Sequence, residues 1–180
     1  LSYQAAYTGA VSLKLTNAGS AADHWDEASN SPQNFSSNLA AVVRVAPGQN
    51  LSVNITPLTT LAAMKLGFNS ANNSINGDAS ASTVGAVNNA IAKLFGLTTT
   101  DQATQLTDFT TIPSWSSEGA DQTPDVYGKI LASISGAELG SGKTTAQVLD
   151  TLLSGMVFSG TTATFTADAA GDIARSLLQT

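Results

Sequence analysis

The chain has 180 residues, 42% of them hydrophobic but only 11% charged, with no cysteine and a net charge of −6. That is enough apolar material for one substantial core, but the seven basic residues are scattered singly, and phosphate binding needs several together, so nucleic acid and anionic membrane are poor partners. No run of about 18 apolar residues is available to cross a bilayer, and the lack of cysteine removes disulfides, thiolate metal sites and thiol nucleophiles together.

With so few charges the surface must be made largely of Ser, Thr, Asn, Gln, Ala and Gly. Such a surface, hydrated by hydroxyls and amides, is common in secreted bacterial surface proteins. No signal-peptide pattern opens at Leu1, which begins as a mature chain or an excised fragment would.

In chain order, residues 1–20 read as strand. Tyr3, Ala5 and Tyr7 alternate, then Val11, Leu13 and Leu15 alternate against Ser12, Lys14 and Thr16, with a turn at 17–20. Residues 21–38 read as a polar loop. Leu39 to Val45 is rich in β-branched residues and predicts a strand, and Pro47-Gly48-Gln49-Asn50 predicts a hairpin turn into a second strand, Leu51 to Ile55. At Thr56-Pro57 the apolar period changes from two to helical. Thr56 can cap, Pro57 suits the first turn, and Gly67 is a left-handed stop, so an extended segment feeds directly into a helix. Three or four strands with one apolar face need a cover, and the helical remainder supplies it.

After a Ser/Asn/Gly loop over 69–82, whose one core residue is Ile75, Val84, Val87, Ile91, Leu94 and Phe95 form the stripe of a helix from Thr83 to Phe95, stopped by Gly96. Residues 97–123 predict a short helix near 101–107 and otherwise irregular chain. Thr123-Pro124-Asp125 starts a further helix with Val126, Tyr127, Ile130, Leu131 and Ile134 inside and Gly136 as its end. Thr144 or Thr145 caps another, with Val148, Leu149, Leu152 and Leu153 inside and Gly155 after. Met156–Phe158 and Ala163–Phe165 predict two short strands about Gly160, and Thr166 caps a last helix.

The succession "SVNITPLTTLAA", "VNNAIAKLFGL", "YGKILASISGA" and "TTAQVLDTLLSG", behind "YTGAVSLKL" and the loop "WDEAS", resembles a module of large secreted proteobacterial surface proteins of the adhesin type. It covers about residues 3–178. The resemblance implies Ig-like strands in front, a TPLT junction and a helical segment behind, and it carries no catalytic site. The fold expected is therefore α+β: a small antiparallel Ig-like half-sandwich packed against a bundle of four or five helices. Residues 1–56 form the β-rich part and 57–180 the mainly helical part, with a short hairpin near 156–166, all as one folding unit.

Four constellations carry chemistry in principle. Gly140-Ser141-Gly142-Lys143-Thr144-Thr145 looks like the end of a phosphate-binding loop, but the position that should hold the first Gly is Ala137, and the preceding segment reads as helix. A turn with a capping Thr explains it. Asp23, His24, Trp25, Asp26 and Glu27 place three carboxylates and the only His together. Calcium, wanting about six to eight oxygens, is the metal that Asp23, Asp26 and Glu27 would suit. The plainer reading is a solvated acidic loop anchored by Trp25, with no cofactor. Serine chemistry lacks a nucleophile elbow and has only His24 as a base. Trp115, in the polar stretch 113–118, and Trp25 could stack on sugars, although pinning a long loop is the commoner role of such residues.

The expected function is a non-enzymatic, extracellular structural or adhesive module of a bacterial surface protein or fibre. Its partners would be neighbouring domains or identical subunits, met through strand edges. The alternative is a carbohydrate- or peptide-binding module using loops 21–38 and 108–123, reaching glycans or surface peptides.

Overall fold

In the computed structural model, the described residues are 6–16, 19, 21–22, 24–26, 28–35, 37–48, 53–77, 79–97, 126–168 and 170–171. The fold over them is α+β. In chain order the elements are β1 (Gly9–Leu15), β2 (His24–Asp26), β3 (Ser31–Gln33), β4 (Leu39–Val45), α1 (Pro57–Lys65), β5 (Phe68–Asn69), β6 (Ser74–Ile75), α2 (Ala81–Leu94), α3 (Val126–Ser141), α4 (Thr145–Ser154), β7 (Met156–Ser159) and β8 (Thr162–Phe165). The strands pair as separate two-stranded sheets, β1 with β4, β2 with β3, β5 with β6 and β7 with β8. Two compact units result. One holds Leu1–Leu15, Leu39–Ile112 and Phe158–Ala163; the other holds Thr16–Asn38, Pro113–Val157 and Thr164–Thr180.

In the first unit, β1 and β4 run antiparallel from Gly9 opposite Val45 to Leu15 opposite Leu39. Cross-strand partners share a face, so Val11, Leu13 and Leu15 stand with Val43, Ala41 and Leu39, while Ser12 and Lys14 stand with Val42 and Ala40. Every residue of β4 except Arg44 is buried, as the apolar run 39–43 requires.

α1 starts where the sequence says it should. Thr56 is extended and caps, its hydroxyl accepting from the Thr59 amide while the Thr59 hydroxyl accepts from the Thr56 amide. Pro57 fills the first helical position, where its missing N–H costs nothing. The helix is apolar almost all round and correspondingly sunk, with Leu58, Leu61, Ala62 and Ala63 buried. Leu58, Leu61, Leu39 and Ile91 are fully enclosed, each contributing about 1.5–3 kcal/mol relative to exposure. Gly67, at φ +77°, ends the helix as expected. A second reason for glycine appears there: a Cβ on Gly67 would lie 2.9 Å from the Gly77 amide, and one on Gly77 would lie 2.6 Å from the Leu66 carbonyl.

Several expectations are corrected. Val53–Ile55 joins no ladder, so the strand expected over 51–55 does not form in its described part. Alternation names the face a strand would bury but not the neighbour it pairs with, and β4 takes β1 on one edge and polar side chains of α1 and α2 on the other. The loop 21–38 contains the β2–β3 hairpin, turned through Asn30 at φ +50°. The loop 69–82 contains the β5–β6 hairpin, turned near Asn73 at φ +56°. Asn tolerates this left-handed region better than other non-glycine residues, and it was the available sign of both turns. α2 begins two residues early, because Ser80 rather than a later residue caps it through the Thr83 amide. α3 runs past Gly136, which is buried, to Ser141. At Gly136 the backbone stays helical, so this glycine does not act as a stop. The helix expected near 101–107, the start at 123–125 and the end of the last helix lie outside the described residues.

In the second unit, α4 is capped by Thr144 and Gln147 reciprocally and buries Val148 and Leu149. The turn of the β7–β8 hairpin, which belongs to the first unit, lies at Gly160, φ +58°, as the sequence indicates.

Candidate functional site

Asp26 is the described member of the acidic cluster, and it is not solvated. It sits at the end of β2, 3% exposed. One carboxylate oxygen accepts from the Ala28 amide at 3.2 Å and the other from the Ser29 amide at 3.2 Å, which closes the β2–β3 turn. Ser135, from the middle of α3, donates its hydroxyl to the first oxygen. Burial pushes the Asp26 pKa up, but the hydroxyls of Ser135 and Ser29 and the amides of Ala28 and Ser29 outweigh it and hold the carboxyl below its ordinary value. The group is thus an ionised anchor, supplied with donors, that ties a hairpin to a helix. A carboxylate already supplied with these donors is a poor first ligand for calcium.

Asp23 and Glu27 lie outside the described residues. Among the described residues, no group of three or more His, Cys, Asp or Glu is placed to hold a metal ion. His24 stacks its ring on Phe35, with centroids 3.9 Å apart and planes 8° from parallel. Trp25 lies in β2 opposite Pro32, where only its backbone is described. Trp115 lies outside the described residues.

The phosphate-loop look-alike resolves into a helix junction. α3 continues through Ser141, Gly142 turns at φ +66°, and Thr144 caps α4. The α4 amides that would have to face a phosphate are engaged: Ala146 donates to the Ser37 hydroxyl at 3.1 Å and Gln147 to the Thr144 hydroxyl at 3.4 Å. Among the described residues no helix is long and apolar enough to cross a membrane.

The two edges of the β1–β4 sheet differ in a way that bears on partners. On β4, the Ala40 amide donates to the Thr60 hydroxyl at 2.9 Å, the Ala40 carbonyl accepts from the Thr59 hydroxyl at 2.8 Å, and the Val42 carbonyl accepts from the Asn88 amide nitrogen at 3.2 Å. Residues of an antiparallel strand alternate between facing the partner and facing away. Ala40 and Val42 therefore face away from β1, and their partners Lys14 and Ser12 face away from β4. The β4 edge is closed by these side chains. On β1, Tyr7 donates its hydroxyl to the Ala10 carbonyl at 2.9 Å, while the outward amides and carbonyls of Ser12 and Lys14 have no hydrogen-bond partner among the described residues. The side chains of Ser12 and Lys14 reach the Asn73 and Ser70 carbonyls, over one face rather than along the edge. Sequence reasoning missed Ser135, Thr59, Thr60 and Asn88 as polar groups serving the interior. The one visible sign was a polar residue, Asn88, inside an otherwise apolar helix face.

Compared with known protein families, curated proteins and solved structures, the chain matches none.

Proposed function

We propose that the protein is a non-enzymatic, extracellular structural or adhesive module of a bacterial surface protein or fibre, one that meets neighbours through a strand edge. The observation that carries this reading is the asymmetry of the β1–β4 sheet: one edge is stopped by Thr59, Thr60 and Asn88, and on the other the outward main-chain groups of Ser12 and Lys14 have no partner among the described residues. Natural proteins usually block such edges unless they are used. The low charge of the surface supports the same reading, since little repels an approaching neighbour.

The resemblance to adhesin-type modules, with its Ig-like front segment, is part of the proposal. What supports it is the antiparallel β1–β4 pair and the Thr56-Pro57 junction. The strand expected over 51–55 does not contribute, so the reading rests on the edge and the surface chemistry.

The test is localisation in the native organism. An antibody against the folded chain should label intact cells or shed fibres, and a brief protease treatment of intact cells should remove the signal. Labelling that appears only after lysis refutes the extracellular reading.

A further inference from the structure

The edge of β1 that faces away from β4 takes no further strand among the described residues, and it is complementary to itself. Set two copies of Gly9–Leu15 antiparallel about Ser12: Ser12 meets Ser12, Ala10 meets Lys14, Val11 meets Leu13, and Gly9 meets Leu15. The residues that face away from β4 are Ala10, Ser12 and Lys14, so in this register they become the hydrogen-bonded pairs, giving about four main-chain bonds besides those at the two Ala10 carbonyls, which already accept from Tyr7.

The side chains choose the same register. Tyr7 and Leu15 are 44% and 42% exposed, two of the four large apolar side chains left exposed among the described residues. Tyr7 folds back over Gly9, its hydroxyl oxygen 2.7 Å from where a Cβ would be, so the ring fills the space a side chain would take. Leu15 of the second copy would stand opposite that glycine and against that ring, at both ends by symmetry. Lys14 faces Ala10, and no like charges oppose each other. Sliding the centre by two residues, to Lys14, would put the two lysines face to face.

We propose that β1 is a self-association edge, pairing antiparallel with β1 of a second copy so that two two-stranded sheets become one of four strands. A contact of this kind is isologous and closes at a dimer. It deepens the module reading by naming a second copy as the partner, and rests on that reading only for its purpose. The solution test below can fail while the cells still label, and the reverse.

The contact is small, so a dissociation constant on the order of 100 µM is expected. Sedimentation of the full chain from ~10 µM to ~1 mM should show a monomer–dimer equilibrium. Because the chain has no cysteine, Ser12→Cys reports the register directly: hydrogen-bonded partners stand about 5.5 Å apart at Cα, within disulfide reach. Mild oxidation should cross-link Ser12→Cys and leave the exposed control Ser154→Cys monomeric.

Ser12→Pro removes an outward N–H without touching the β4 ladder, and should weaken the dimer at least tenfold. Leu15→Asp should do the same at an exposed position, and it stands in should the proline variant fail to fold. A monomer at ~1 mM, an oligomer larger than a dimer, or a dimer indifferent to Leu15→Asp overturns the proposal.

Discussion

Thr59 offers the sharpest test of how this fold is joined. Its hydroxyl accepts from the Thr56 amide at 2.8 Å, completing the cap of α1, and donates to the Ala40 carbonyl at 2.8 Å, fastening that helix to the edge of β4. Both partners are backbone groups beside buried residues, and Thr59 is itself 2% exposed. Thr59→Val keeps the volume and shape, so no cavity forms, but it orphans one donor and one acceptor. Each such group costs about 1–3 kcal/mol. Thr60, whose hydroxyl lies 3.3 Å from the same Ala40 carbonyl, can recover part of the second loss. The expected destabilisation is therefore ~2–4 kcal/mol, against ~1 kcal/mol for Thr59→Ser, which keeps the hydroxyl and loses only a methyl. Urea titrations give the totals, and hydrogen exchange at the Thr56 amide should show protection lost in the Val variant and kept in the Ser variant. A Thr59→Val protein within ~0.5 kcal/mol of the parent, or Ser and Val variants that cost the same, would refute the hydroxyl bridge as the joint.

Asp26 has a folded pKa below its ordinary value, so its contribution to stability is full above about pH 4, declines as pH falls, and is gone below the lowered folded value. In acid titrations Asp26→Asn should be less stable at neutral pH and should lose less on acidification. An unchanged acid slope would contradict the anchor. Gly67 and Gly48 are both left-handed, at φ +77° and +74°, but an added Cβ meets the Gly77 amide at one and open space at the other. Gly48→Ala should cost about 1 kcal/mol from backbone strain alone, and Gly67→Ala distinctly more, as read by thermal melts. Asn88→Leu, similar in size, leaves the Val42 carbonyl unpaired and should cost ~1–3 kcal/mol in denaturant titration.

How much was legible follows from how far each cause reaches along the chain. The caps at Thr56 and Thr144 are made with partners three residues on, and Pro57, Gly67, Gly96 and Gly160 act on their own backbone. β4 announced itself as an apolar stretch rich in β-branched residues, and its bounds match the sequence pattern. The candidate site was legible only as a cluster of acids. That Asp26 would be buried and bound depended on Ser135, a partner 109 residues away inside a helix stripe that gave no sign of it.

The sequence by itself thus determined where α1 and α4 start and stop, where α2 stops and which faces are apolar, because those properties are set by neighbours a few residues apart. Tertiary structure alone decided that β4 pairs with β1 instead of Val53–Ile55, that Thr59, Thr60 and Asn88 seal its far edge, and that Gly136 lies within a helix. Each of these depends on which groups meet after long loops close. The winning arrangement is the one that leaves fewest buried backbone groups unpaired, a sum over distant residues that no local pattern contains.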